Sequence, residues 1–116
     1  MKLGVAIVGC GLIGVKRADT LDDMVLRACV DMDSVKAESL ASRFPGCRPM
    51  TDWRHAVNDR QVNVVMVSTP HNCLAEIIAG AIAAGCHVLV EKPAARFVTE
   101  LNPLITMADR QQVLVR

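Results

Sequence analysis

The sequence predicts an α/β fold, a doubly wound sheet of parallel strands in a single domain. Three observations carry that expectation. Continuous apolar runs alternate with helix-like patterns along the chain. The runs are rich in valine and do not alternate polar with apolar, as expected of strands buried on both faces. Polar and glycine-rich clusters follow directly after the runs, where an open parallel sheet binds its ligands.

The elements read in order as follows. Leu3 to Val8 is the first strand, and Gly9-Cys10-Gly11-Leu12-Ile13-Gly14 turns from it into a helix. Met24 to Val30 is the second strand. Ser34 is a helix N-cap candidate, with the helix reaching about Phe44 before Pro45-Gly46 ends it. A weaker third strand lies near Arg48 to Met50, and Asp52 caps a short helix carrying Trp53, Ala56 and Val57. Val62 to Val67 is the fourth strand. Leu74, Ile77, Ile78, Ala81 and Ile82 then recur at helical spacing on one face, and Gly85 falls where a helix C′ residue belongs. His87 to Val90 is the fifth strand. A last helix begins at Thr99, or at Asn102 with Pro103 in its first position, and Val113 to Val115 begins a sixth strand.

Size and composition bound the reading. The chain has 116 residues, enough for one compact domain. With 52% hydrophobic and 22% charged residues it can bury a core. A net charge of +1, no basic stripe and 3% aromatic residues argue against a nucleic-acid surface. No apolar stretch suffices for a membrane span, and the amino end reads as a strand, not a leader. A cytoplasmic location is expected. The five cysteines, Cys10, Cys29, Cys47, Cys73 and Cys86, are odd in number and lack Cys-x-x-Cys spacing. That argues against a disulfide framework and against a metal site.

The chemistry-bearing residues sit at the strand exits. In the glycine turn, Gly9 permits the tight turn, Gly11 lets the main chain reach a pyrophosphate, and Gly14 allows helix and strand to pack closely. Cys10 contributes its amide toward the phosphates, and Leu12 and Ile13 open the helix whose free N–H groups face them. Asp31 ends the second strand, where a carboxylate accepts hydrogen bonds from ribose hydroxyls and repels a 2′-phosphate. The next residues, Met32-Asp33-Ser34, supply no arginine, so NAD is preferred over NADP. Lys36 and Arg17 keep NADP open. Ser68-Thr69-Pro70 and His71 line the nicotinamide half or cap the following helix. Glu91-Lys92-Pro93 leaves the fifth strand. An ammonium there can hydrogen-bond a substrate oxygen and stabilise the alkoxide-like charge that develops as hydride moves.

These segments together, Val8 to Gly14, Val30-Asp31, Ser68-Thr69-Pro70 and Ala84-Gly85-Cys86-His87-Val88-Leu89-Val90-Glu91-Lys92-Pro93, resemble the Gfo/Idh/MocA oxidoreductases, the glucose–fructose oxidoreductase and inositol dehydrogenase relatives. The resemblance implies a Rossmann-type domain over residues 1–116, with a substrate domain beyond the sixth strand and absent from this sequence. It implies hydride transfer between a nicotinamide cofactor and a sugar, cyclitol or related hydroxyl compound. Lys92 takes the catalytic position, and the glycines and Asp31 take cofactor positions. Two places depart from the family pattern: Leu74 and Arg17 stand where a histidine is common. Homo-oligomerisation is a further expectation. The competing readings are a free-standing dinucleotide-binding or sensor module and a methyltransferase. The methyltransferase shares the glycine turn but leaves Glu91-Lys92-Pro93 unexplained.

Overall fold

The structure, a computed structural model, describes residues 3–19, 21, 23–68, 71–90, 110 and 112. Strands β1 (Gly4–Val8), β2 (Val25–Val30), β3 (Arg48–Met50), β4 (Val64–Val67) and β5 (His87–Val90) form one sheet in the order β3-β2-β1-β4-β5. All four pairings are parallel. Helices α1 (Leu12–Ala18), α2 (Ser34–Ala41), α3 (Trp53–Val57) and α4 (His71–Ala83) connect them. This is the expected doubly wound sheet. The chain winds outward from β1 first through β2 and β3, then returns to β4 and β5.

The period-2 geometry of β1 divides the core. Ala6 and Val8 face the α3/α4 layer with Val65, Val67, Ile77, Ile78 and Ile82. Val5 and Ile7 face the α1/α2 layer with Leu26, Cys29, Leu40 and Met66. Val5 and Ala6 are wholly buried and Val8 is 3% exposed, which explains why the run has no polar alternation. Gly80 lets α4 pack on α3, since a Cβ there would overlap the Trp53 ring.

The expected boundaries shift by local hydrogen bonding. Leu3 is exposed and precedes β1. Met24 and Val62 belong to turns, donating to Leu21 O and Asp59 O, so β2 and β4 begin later than their apolar runs. The N-cap of α2 is Asp33, not Ser34: the Asp33 carboxylate accepts from Val35 N at 3.0 Å. That helix ends at Ala41, not near Phe44, because Arg43 N and Phe44 N donate three residues back. Asp52 caps α3 as expected, accepting from Arg54 N at 2.9 Å. Helix α4 closes at Gly85, with Cys86 N bonded to Ala81 O. The last helix and sixth strand lie outside the described residues.

Candidate functional site

The sheet order reverses between β1 and β4, whose carboxyl ends lie side by side with Val8 opposite Val67. A cleft of about 700 Å³ opens above this point. Gly9, Gly11, Asp31 and Ser68 line it, each at or just beyond a strand end. Three strands thus deliver their exit residues to one place, as a ligand site at a topological switch point requires.

The glycine loop is built by close contacts. Gly9 has φ +98°, and a Cβ there would come within 2.9 Å of Ser68 O. A Cβ on Gly14 would overlap Gly9 O, so only glycine lets α1 approach the loop. A Cβ on Gly11 would meet nothing within 4 Å and would project into open space. The loop therefore presents bare backbone at the cleft wall, as close approach of a pyrophosphate demands.

Asp31 and Ser68 pin that loop from either side. Asp31 Oδ2 accepts from Cys10 N at 2.8 Å, and Oδ1 accepts from Asp33 N at 2.9 Å. Ser68 Oγ donates to Gly9 O at 2.9 Å and lies 3.3 Å from Val8 O. Two expectations change here. The Cys10 amide does not face an incoming phosphate, because it already donates its hydrogen bond to the Asp31 carboxylate. The Ser68 hydroxyl is turned into the loop, although Ser68 still lines the cleft. Cys10 itself is 5% exposed, and its thiol donates to Val30 O at 3.4 Å.

Other expected site residues fall in part or whole outside the description. Leu12, Ile13 and Gly14 form the first turn of α1, and His71 begins α4. The side chains of Leu12, Ile13 and His71 lie outside the described residues, as do Thr69, Pro70, Glu91 and Lys92 entirely. What the structure adds is the β3 exit. Thr51, Asp52, Trp53 and Arg54 line the cleft with Met32 and Lys36. The Arg54 guanidinium lies 5.0 Å from the Trp53 ring centroid and bonds Glu76 at 3.0 Å. The signal was present: the rule that polar residues after each strand gather at one edge applies to Thr51-Asp52 as well. The short, weak third strand hid it.

Among the described residues, no group of three or more histidine, cysteine or carboxylate side chains is placed to hold a metal. No described helix is long and apolar enough to cross a membrane.

Comparison with known proteins agrees with this geometry. The oxidoreductase family with an NAD-binding Rossmann fold, GFO_IDH_MocA, matches residues 3–116. The chain is 32% identical over 95 residues to an inositol 2-dehydrogenase of Pseudarthrobacter chlorophenolicus, covering 78% of this chain and 28% of that protein. The crystal structure of GenD2 from gentamicin A biosynthesis, in complex with NAD, superposes with a TM-score of 0.90 at 37% identity, over 98% of this chain and 33% of that one. A variant of KijD10, a 3-ketoreductase from Actinomadura kijaniata in complex with TDP-benzene and NADP, superposes with a TM-score of 0.88 at 25% identity, over 99% and 38%. The chain thus spans roughly a third of the length of such relatives.

Proposed function

Because the chain belongs to the Gfo/Idh/MocA oxidoreductases and is their NAD(P)-binding Rossmann domain, we propose that the protein moves hydride between a nicotinamide cofactor and a hydroxyl carbon of a sugar, cyclitol or related compound. One observation carries the reading: a bare glycine loop, held by Asp31, forms the wall of a cleft at the sheet's switch point. The cofactor supplies or accepts the hydride when bound. The rest follows from what this chain's residues do.

Gly11 leaves the space a pyrophosphate needs. Asp31 keeps the loop in register by holding Cys10 N, and a carboxylate retains further lone pairs with which to accept from ribose hydroxyls. A 2′-phosphate would meet this carboxylate's charge, so NADH should bind more tightly than NADPH. Lys36, at the same cleft, works in the opposite direction and limits the ratio. Trp53 and Met32 offer apolar walls to a flat base.

Lys92 is the proposed hydrogen-bond donor to the substrate oxygen. Its support is positional. Strand β5 ends at Val90 in register with Val67 of β4, and Glu91-Lys92-Pro93 continues the sequence from that strand end. The substrate class rests on relatives such as the inositol 2-dehydrogenase. A cytosolic location belongs to the same proposal, supported by four free cysteines among the described residues.

Calorimetric titration with NADH, NADPH and S-adenosylmethionine tests the cofactor reading. NADH should bind most tightly. Binding of the methyl donor without the dinucleotides would overturn the proposal, and a preference for NADPH would remove the assigned effect of Asp31. For Lys92→Ala, kcat of the active enzyme should fall by about 10²–10³-fold, the scale of losing a donor to developing oxyanion charge. An unchanged kcat would remove Lys92 from the chemistry.

A further inference from the structure

Beneath the glycine loop, three thiols gather on the α1/α2 side of the sheet. Cys29 lies in β2 with 0% exposure, and Cys10 is in the loop itself. Cys47 stands one residue before β3, half-buried, with its Sγ 3.3 Å from Cys29 Sγ. The register explains the meeting. Cys29 pairs with Pro49, and side chains two residues apart on an extended strand share a face. Cys29 and Cys10 share the same buried layer.

We propose that Cys29 and Cys47 are a redox-responsive pair that closes to a disulfide on reaction with hydrogen peroxide or a small-molecule disulfide, and that closure weakens the dinucleotide site. Cys47 reacts first, since it is the less buried of the two. The hydrogen bond from Cys29 and the nearby Arg48 guanidinium hold the Cys47 thiol below its ordinary range, against the opposing effect of its own burial. A depressed thiol is the nucleophilic one. Hydrogen bonding within the thiol cluster, and then burial, keep Cys29 protonated well above the usual range, so it is not the thiol that meets the oxidant first.

The chemistry balances. The Cys47 thiolate attacks one peroxide oxygen; an S–O bond forms, the O–O bond breaks, and the released hydroxide takes a proton to become water. Cys47 is now a sulfenic acid, oxidised by two electrons. The Cys29 sulfur displaces that hydroxyl, the S–S bond forms, and the hydroxyl leaves with the Cys29 proton as a second water. With a small disulfide as oxidant, Cys47 forms a mixed disulfide, releasing one small thiol, and Cys29 releases the other.

Coupling to the site follows from connectivity. The sulfurs must close from 3.3 Å to about 2.05 Å. Cys29 then shifts within the packed layer it shares with Cys10, whose amide carries the Asp31 contact. This half rests on the dinucleotide reading; the bridge does not.

The test treats the reduced full chain with hydrogen peroxide, alkylates it, and maps unreduced peptides by mass. Each form is also titrated with NADH by fluorescence. A Cys29–Cys47 peptide lighter by two hydrogens is expected, reversed by dithiothreitol, abolished in Cys47→Ser and Cys47→Ala, and retained in Cys86→Ser. The Kd for NADH should rise several-fold on oxidation of the native chain and stay constant in Cys47→Ser. Oxidation of Cys47 without bridging, or bridging through other cysteines, would overturn the pair. A bridge with unchanged Kd would overturn the coupling. If the reduced chain binds no NADH, the dinucleotide reading and its coupling fail, and the bridge is decided by mass alone.

Discussion

Asp31 commits both carboxylate oxygens to backbone amides, one of them that of Cys10 in the glycine loop. Removing it costs more than a ribose contact, because the Cys10 amide loses its acceptor. Asp31→Ala should weaken NADH binding by at least about tenfold, in line with the ~1.5–3 kcal/mol of a charged hydrogen bond, as measured by calorimetry. Gly14→Ala should be worse for the fold, since its methyl would overlap Gly9 O and push α1 from β1; a drop in melting temperature together with lost NADH binding is expected. The identity of these residues was legible in the sequence, because turn glycines and a carboxylate after an apolar run are local signals. The partner of the Cys10 amide was not. That bond joins residues 21 apart in sequence and exists only once β1 and β2 lie side by side. The partner of the Ser68 hydroxyl was hidden for the same reason: it bonds a carbonyl 59 residues away.

Helices and strands announced themselves to the extent that their signals were redundant. Helix α4 has an apolar face and a glycine stop, and both appear in the structure. Helix α2 showed Ser34 as its cap candidate, one residue late: Asp33 caps it, because its carboxylate reaches Val35 N. Strand β3 is short, largely exposed and contains Pro49, so little in its composition marks it. Its exit nevertheless supplies Trp53 and Arg54 to the cleft. Two substitutions probe this corner. Asp52→Ala should destabilise the fold by about 0.5–2 kcal/mol, the usual worth of an N-cap. Gly80→Ala should cost about 1–3 kcal/mol by overpacking against the Trp53 ring. Urea unfolding measures both, and an unchanged midpoint for Gly80→Ala would show that the α3–α4 contact yields freely.

For the molecule as a whole, the alternation of strand and helix implied a parallel sheet, and the order β3-β2-β1-β4-β5 results from winding outward from β1 in two directions. Adding NADH at about one hundred times Kd should raise stability by about 2.7 kcal/mol through preferential binding to the folded state. A thermal shift in NADH, with none in S-adenosylmethionine, is the expected result. The central position of β1 also has a consequence for synthesis. It leaves the ribosome first, yet Val5 to Val8 pair on one side with Val64 to Val67, translated much later. At roughly 5–20 residues per second, that interval lasts several seconds. Throughout it a strand buried along its whole length in the finished sheet is half-zipped at best, open to chaperones or to a neighbouring polysome. The strand that finally anchors the cleft is thus the one longest exposed to misassembly at birth.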